Sequence, residues 1–341
     1  MSVLPVSSVA PGEPPPVAPS RSAAPAGVPA AVQPAAQEAR PAFAEPLAGR
    51  LAAVRGILAG LDGAVVAFSG GVDSTVLAYL AQKALGARAL ACTAVSPSLP
   101  GTELAAAREL AARIGIRHRV IETRELELEA YARNDPDRCY VCKGVLFVQL
   151  RAVARAEGLG AILYGANIDD AADYRPGGRA AVKAGARAPL AEAGLSKADV
   201  RTLARTFGLP NAEKPAAPCL ATRIPYGQRV TLEKLRQLEA AEAVVRRFGF
   251  RDLRVRHHLD VARLEVPLEQ LGLALQPDVR EALVRELRAL GFRYVTLDLE
   301  GFRSGSLNAG LADVGRAASS AVGAGPDGQG APDGAPPATE A

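Results

Sequence analysis

Two cysteines, Cys139 and Cys142, stand one helical turn apart in the stretch "RCYVCK" of a chain that has four cysteines. Cys92 lies inside the apolar run "ALACTAV", which is typical of a core strand, so we interpret it as a small buried hydrophobic residue. We predict that Cys139 and Cys142 lie just before a helix that begins near Lys143. Together with Cys219 they lie among turn residues, where packing alone does not account for them. These three thiols are therefore candidates for chemistry.

Three kinds of thiol site compete for this trio. A thioredoxin-like dithiol would follow the first strand of its fold, which this pair does not, and it would leave Cys219 without a part. A structural zinc ion needs a fourth ligand, for which His118 stays a candidate. A [4Fe-4S] cluster bound by three thiolates leaves one iron open to a small exogenous ligand. Spacing alone does not choose between zinc and the cluster.

A second chemical signal is the stretch "VVAFSGGVDSTVL", residues 65 to 77. Its pattern predicts a buried strand, a glycine turn and a helix, in that order. Glycines let backbone N–H groups face an anion, and the N-terminus of a helix adds partial positive charge there. Because no Gly-Lys-Ser/Thr follows, this is not a Walker A loop. The residues that we predict to bind the phosphates of ATP are Ser69, Gly70, Gly71, Asp73 and Ser74.

Asp73 is also our candidate for contact with Mg²⁺, since ATP arrives with a hard cation that prefers carboxylate and phosphate oxygens. Its alternative role is to cap the helix, and the two roles are compatible. The alternative for the whole stretch is a turn whose glycines serve only the change of direction. The pattern Ser-Gly-Gly-x-Asp-Ser favours phosphate binding, and it resembles the PP-loop of ATP pyrophosphatases, which cleave ATP between its α- and β-phosphates.

The elements that must position these residues fall into two regions. Between residues 46 and about 210, apolar strand-like runs alternate with helical stretches, which is typical of a parallel sheet with helices on both faces. From residue 231 the order is a helix (231–248), two strand-like runs, a helix near 277–290 and a last strand-like run. We predict an α/β fold with a PP-loop ATP-binding and cluster domain at 46–228 and a smaller α+β domain, for substrate or oligomerisation, at 229–308.

The composition sets limits on the rest of the chain. Residues 1–45 are dominated by Pro, Ala and Ser, and the segment 309–341 has the same low-complexity character, so we predict disordered tails at both ends. A net charge of +4 over 341 residues is no nucleic-acid footprint, and we expect no such partner. No apolar run approaches the roughly 20 residues that cross a bilayer, and the N-terminus lacks the pattern of a signal peptide. We therefore expect a cytoplasmic protein without a membrane partner.

Six longer blocks resemble, in this order, the LarE family of sulfur transferases, and they span about residues 50 to 308. The blocks are "SGGVDS", "RCYVCK", "GANIDDAADYRPGGRAAVKAGARAPLAEAGLSKADVR", "KPAAPCLATRIPYG", "RVRHHLDVARLEV" and "DLEGFRSGSLN". The resemblance implies an enzyme that uses ATP and Mg²⁺ to adenylylate the carboxylates of pyridinium-3,5-biscarboxylic acid mononucleotide and converts them to thiocarboxylates of the nickel-pincer cofactor. It also implies a sulfide donor, and we expect a homo-oligomer.

The LarE family has two forms. One form carries a single cysteine at the position of Cys219 and gives up its sulfur. The other carries three cysteines, which match Cys139, Cys142 and Cys219, and is similar to sulfur transferases that depend on a [4Fe-4S] cluster. The resemblance thus implies that these three residues bind the cluster and that Cys219 is also the catalytic position.

The substrate that the resemblance implies is an anion with a nucleotide phosphate, and an Arg side chain can bind a phosphate through two N–H donors. Arg254 and Arg256 alternate along "LRVRHH", so both project to one face of the predicted strand. Each candidate has an alternative as a surface charge paired with a neighbour. The residues that the resemblance implies at the substrate end are Arg223, Arg254, Arg256, Glu265 and Arg303.

Acidic residues follow a predicted strand end in "GANIDDAADYR", at the edge where α/β sheets bind ligands. Asp169, Asp170, Asp173 and Arg175 are the residues concerned, and their alternative is to cap the next segment. Two other functions remain open from the residues. One is a different PP-loop adenylylating enzyme, an amidating synthetase or a tRNA thiolase. The other is a non-catalytic metal carrier, which would bind metal without ATP turnover.

Overall fold

Two β-sheets organise the part of the chain that the computed structural model describes, residues 43–172, 176–303 and 307. The strands are β1 (Ala64–Ala67), β2 (Ala89–Val95), β3 (Arg117–Glu122), β4 (Ala161–Tyr164), β5 (Arg254–His258), β6 (Val261–Glu265) and β7 (Tyr294–Leu297). The helices are α1 (Leu47–Ala59), α2 (Val72–Leu85), α3 (Gly101–Ile114), α4 (Glu129–Ala132), α5 (Arg138–Ala156), α6 (Pro176–Lys183), α7 (Pro189–Glu192), α8 (Lys197–Thr206), α9 (Leu232–Arg247), α10 (Leu271–Leu275) and α11 (Pro277–Ala289). The predicted tails lie outside the described residues, apart from residues 43–45.

The first sheet has the strand order β3-β2-β1-β4, and all of its neighbours are parallel. Successive residues of the central strand β1 face opposite sides, as in any strand. Val66 packs with apolar side chains of α1, α2 and α8, whereas Val65 packs with those of α5 and α6. Helices therefore cover both faces, and the predicted α/β fold with a parallel sheet is confirmed. Cys92 is 1% exposed on β2, as expected of a core residue, and its burial raises the pKa of the thiol to about 12.

The second sheet has the order β5-β6-β7, with β5 antiparallel and β7 parallel to β6. Its apolar face, which includes Val255, Ala262 and Leu264, forms a core with α9 and α11. The elements follow one another in the predicted α-β-β-α-β order, with the short α10 added before α11. The domain boundary between residues 228 and 229 stays a prediction. In the described ranges, no helix combines the length and the apolarity needed to cross a bilayer.

One predicted boundary is wrong. The sequence placed Cys139 and Cys142 just before a helix that begins near Lys143, but α5 begins at Arg138 and contains both cysteines. Asp137 occupies the N-cap position of α5, a position that favours Asp, although its side chain forms no capping hydrogen bond. The two thiols are therefore held on the first turns of a helix, which is stiffer than a loop.

Candidate active site

The phosphate loop connects β1 to α2, as the sequence predicts. Gly70 has φ +70°, and a Cβ added there would lie 3.3 Å from the Cα atom of Ala107 on α3, so this position requires glycine. Gly71 precedes the first residue of α2, and no side chain caps the helix. The first N–H groups of α2 are therefore available to an anion.

Two hydroxyl groups line the same loop. The Oγ atoms of Ser69 and Ser74 lie 3.2 Å apart, and the N–H of Gly71 donates to Oγ of Ser69 at 3.3 Å. Oγ of Ser74 donates to the carbonyl oxygen of Gly71 at 3.0 Å. The structure thus brings together the five residues predicted to bind phosphate, and their role in binding stays a prediction.

Asp73, the candidate for Mg²⁺, has a partner that the sequence did not indicate. Nδ2 of Asn167, which is 3% exposed, donates to Oδ1 of Asp73 at 2.7 Å. Asn167 is itself held by the N–H of Asp169, which donates to its Oδ1 at 3.0 Å, and by Oδ2 of Asp170, which accepts from its N–H at 3.1 Å. The position of Asn167 just beyond the end of β4 is the signal that could have found it. Asp173 and Arg175 lie outside the described residues.

A second asparagine connects the phosphate loop to the segment that leads to Cys219. Nδ2 of the buried Asn211 donates to the carbonyl oxygen of Gly70 at 3.1 Å and to Oγ1 of Thr75 at 3.0 Å. Nothing in its sequence surroundings indicated this role. The phosphate loop and the polypeptide that carries the third cysteine are therefore mechanically linked.

The three cysteines converge in the fold. Cys139 and Cys142 lie on the first turns of α5, and Cys219 precedes the 3₁₀ turn Leu220–Arg223. Burial, followed by the nearby thiol of Cys219, raises the pKa of Cys139. Burial, followed by the carboxylate of Glu125, raises the pKa of Cys142 to about 12, with smaller contributions from the other two thiols. Cys142 and Cys219 also pack against the same apolar core.

The structure places the zinc candidate His118 in other contacts. Nε2 of His118 forms a hydrogen bond with Oγ1 of Thr93 at 2.8 Å, and its ring packs edge-on against Phe68. Within the described ranges, no group of three or more His, Cys, Asp or Glu side chains is placed to hold one metal ion.

Arg138 and Asn134 join the two cysteine-bearing segments. Nη1 of Arg138 donates to Oδ1 of Asn134 and to the carbonyl oxygen of Ala221, the latter at 3.0 Å. Nδ2 of Asn134 donates to the carbonyl oxygens of Ile224 at 3.2 Å and Pro225 at 2.8 Å. These bonds run from the start of α5 to the segment that follows Cys219.

Arg223, predicted at the substrate end, is 2% exposed and holds the backbone around Cys219. Its Nη1 donates to the carbonyl oxygens of Pro218 at 2.7 Å and Cys219 at 3.1 Å. Its Nε donates at 2.8 Å to Oε1 of Glu242, a carboxylate on α9 that is 1% exposed. Direct contact of Arg223 with substrate stays a prediction, and the contacts that the structure describes are those of a clamp on the Cys219 loop. Glu242 was missed because a lone Glu in a helical stretch resembles a surface charge.

Arg254 and Arg256 also reach this loop from β5. Nη2 of Arg254 donates to the carbonyl oxygen of Ala216 at 3.2 Å, and Nη1 of Arg256 donates to that of Thr222 at 2.7 Å. Arg256 forms a buried ion pair with Glu265 at 2.8 Å. Burial, together with neighbouring cations of which Arg223 is the first, lowers the pKa of Arg254 to about 10. Arg223, Arg254 and Arg256, here called the cationic cluster, thus all donate to backbone carbonyls of the loop around Cys219. Arg223 and Arg256 are each also paired with a buried carboxylate.

Arg303 is the exposed member of the predicted substrate set. It forms an ion pair with Glu300, and its neighbour Phe302 lies under the guanidinium of Arg254, 4.9 Å from Cζ to the ring centroid. The chain around Arg303 therefore adjoins the cationic cluster, whereas a contact of Arg303 itself with a ligand stays a prediction.

A parallel sheet with an SGGxDS loop between its first strand and the following helix defines the class of PP-loop ATP pyrophosphatases, enzymes that use ATP. The Asparagine synthase family model matches residues 52–145. The NH₃-dependent NAD⁺ synthetase of Mannheimia succiniciproducens is 31% identical over 191 residues, which are 52% of this chain and 74% of that protein.

Two relatives cover more of the chain. An uncharacterized protein of Synechocystis sp. is 45% identical over 262 residues, 77% of this chain and 98% of that protein. The pyridinium-3,5-bisthiocarboxylic acid mononucleotide synthase of Lactiplantibacillus plantarum is 39% identical over 263 residues, 77% of this chain and 95% of that protein. The chain belongs to the family of this synthase, the LarE family.

Proposed function

We propose that the protein is an ATP-dependent sulfur transferase that converts the carboxylates of pyridinium-3,5-biscarboxylic acid mononucleotide into thiocarboxylates. The observation that carries the proposal is the link between the two sites. Asn211 anchors to the phosphate loop at Gly70, and the same stretch of chain continues to Cys219, where the other two thiols converge. The 39% identical relative is a pyridinium-3,5-bisthiocarboxylic acid mononucleotide synthase, which supports the choice of substrate.

The first half-reaction activates a carboxylate. A carboxylate resists nucleophilic attack because its carbon is electron-rich and oxide is a poor leaving group. A carboxylate oxygen of the substrate attacks the α-phosphorus of ATP, pyrophosphate leaves, and an acyl-adenylate forms. The hydroxyls of Ser69 and Ser74 and the first N–H groups of α2 bind the phosphates, and Asp73, oriented by Asn167, binds Mg²⁺.

The second half-reaction introduces sulfur. Sulfide attacks the acyl carbon and AMP leaves with the bonding pair, so that one C–S bond forms and one C–O bond breaks. Repetition on the second carboxylate gives the bisthiocarboxylate. The thiol site holds the sulfide beside the reacting carbon, which is the proximity contribution to catalysis.

Cys139, Cys142 and Cys219 are suited in type and placement to a [4Fe-4S] cluster. Thiolates are the usual ligands of iron in such clusters, and Cys139, Cys142 and Cys219 would hold the cluster. A cluster with three protein ligands would supply an open iron for binding sulfide. Arg223 holds the backbone carbonyl of Cys219, so this thiol lies on the loop that the arginines contact.

The substrate's phosphate suits the cationic cluster around Arg254 and Arg256. Burial first, and then the charges of Arg223 and other nearby cations, lower the pKa of Arg254. A bound anion beside the guanidinium would favour its charged form. Glu265 keeps Arg256 in place, and Arg303 adds a donor at the rim. A sulfide donor, a homo-oligomeric state and a cytoplasmic location stay predictions.

Anaerobically purified protein incubated with MgATP, sulfide and the biscarboxylate mononucleotide tests the proposal. We expect pyrophosphate release that depends on the mononucleotide, and mass spectrometry of the product should show sulfur in place of oxygen. Replacement of sulfide by ammonium tests an amidating synthetase, which the likeness to the NAD⁺ synthetase suggests. Bound metal without pyrophosphate release, or a product amide in place of a thiocarboxylate, would contradict the proposal.

A further inference from the structure

Arg138 is the largest fully buried side chain among the described residues, and it is 1% exposed. Its Nη1 has two partners, both neutral oxygens, on Asn134 and Ala221. Its Nη2 is buried and has no hydrogen-bond partner within the described ranges. A buried guanidinium with an unused nitrogen is costly, so a fold that keeps one in this place has a use for its charge.

The surroundings of Arg138 indicate what that use is. Arg138 directly precedes Cys139, and its Nη1 reaches the carbonyl oxygen of Ala221 on the turn that follows Cys219, so the guanidinium lies beside both segments. Its Cζ lies 6.0 Å from the ring centroids of both Tyr131 and Tyr226. The aromatic rings accommodate a cation in a pocket otherwise closed to water. Negative charge that develops on the thiols is therefore the charge that Arg138 faces.

Arg138 also spans the two segments that supply the cysteines. It directly precedes Cys139 on α5, while its bond to Ala221 reaches the turn that begins after Cys219. Asn134 braces the same connection through its bonds to Ile224 and Pro225. Movement of one segment against the other would break these buried bonds.

We propose that Arg138 is a positioning residue of the three-thiol site, which sets the separation of its two segments and offsets negative charge at Cys139, at Cys219 and on the cluster that the site would bind. The inference rests on the proposed function, since it assumes the cluster. The planar guanidinium of arginine presents several donors at once, so it can bond to Asn134 and Ala221 and also face the thiols. A lysine keeps the positive charge but has a single ammonium group, which cannot make all of these contacts together.

The test compares Arg138→Met, which removes the charge, and Arg138→Lys, which keeps it, with the full-length wild-type protein. Arg229→Met is the matched control. Arg229 forms an exposed ion pair with Glu129 at 2.6 Å, so it also joins two segments that are distant in the chain, but it does not face the thiols. Each protein is reconstituted anaerobically with iron and sulfide. Iron and acid-labile sulfide content, the midpoint potential of the cluster and pyrophosphate release are measured.

We expect Arg138→Met to retain less than a quarter of the wild-type iron and a more negative midpoint potential in what remains, because loss of a nearby cation disfavours the reduced cluster. Arg138→Lys should lose at least half of the iron but shift the potential less. Arg229→Met should match the wild type. In both Arg138 variants the iron content should fall more than pyrophosphate release does.

The inference is wrong if Arg138→Met keeps the iron content and the midpoint potential of the wild type. It is also wrong if iron content and pyrophosphate release fall equally, because that result indicates a general folding defect. If Arg138→Met does not fold, Arg138→Lys decides, and its unchanged iron content would overturn the inference in the same way. A wild-type protein that releases pyrophosphate but takes up no iron would overturn the cluster of the proposed function itself, and the inference with it.

Discussion

The phosphate loop draws its residues from one continuous stretch, Ser69 to Ser74, whereas the thiol site draws its cysteines from two segments between positions 139 and 219. The bonds that shape the loop are mostly local, such as those between Ser69 and Ser74. The thiol site depends on long-range bonds from buried arginines to backbone carbonyls. The loop is thus built by local backbone geometry and the thiol site by side chains that join distant segments. Asn211 connects the two sites, but it is neither a phosphate ligand nor a thiol, so loss of one ligand should disable its own site more than the other.

The largest difference between the two sites is expected from Cys139→Ala and Cys142→Ala. Either change should abolish multiple turnover and the brown colour that an iron-sulfur cluster would give the protein, because two thiolates do not retain the cluster. Pyrophosphate release should continue, since the phosphate loop is intact. Iron analysis and product quantification over several turnovers measure this. Cys92→Ala, in the core of the first sheet, is the control and should keep its iron. Full turnover in either α5 variant would rule out the cluster mechanism.

Asp73→Asn should have the opposite effect, loss of function at the phosphate loop with an intact thiol site. Loss of a carboxylate that binds Mg²⁺ should slow pyrophosphate release about 100-fold, equivalent to ~3 kcal/mol of transition-state stabilisation. Iron content should stay at the wild-type level, since the thiol site shares no residue with the loop. Asp62→Asn, at an exposed position, serves as control. A parallel loss of iron would show that the two sites are not independent.

Glu242→Gln tests how far the thiol site relies on buried charge. The substitution leaves Arg223 buried without its carboxylate, and breaking a buried pair costs about 3 kcal/mol of unfolding free energy. Urea unfolding monitored by circular dichroism measures the loss. The exposed pair of Arg205 with Glu213 provides the contrast, and Glu213→Gln should leave the midpoint unchanged. Equal midpoints for the two variants would contradict the clamp role of Arg223.

The smallest effect is expected within the phosphate loop, from Asn167→Ala. The change removes one hydrogen bond to a charged group and frees Asp73 to rotate, worth about 1.4 kcal/mol, or a tenfold increase in the KM for MgATP. The value of kcat should change less, because Asp73 itself remains. Steady-state pyrophosphate release over a range of MgATP concentrations separates the two. A tenfold fall in kcat at constant KM would assign Asn167 to the chemical step.

Much of the fold could be predicted because its signals are local. Helix α9 was expected at 231–248 and runs over Leu232–Arg247, and the helix expected near 277–290 runs over Pro277–Ala289. The start of α5 was misplaced, since "DPDRC" carries both turn and helix-start signals and only packing selects between them. Short-range patterns thus determined the elements, except where two patterns overlapped.

The amino-acid sequence by itself determined the parallel sheet, the phosphate loop and the three candidate thiols, because strand alternation, glycine turns and cysteine spacing are local properties of the chain. Only the tertiary structure decided that Asn167 orients Asp73, that Asn211 links the loop to the Cys219 segment, and that Arg138 and Arg223 hold that segment in place. These contacts join residues that are far apart in the chain, and their pairing depends on how helices pack across two sheets.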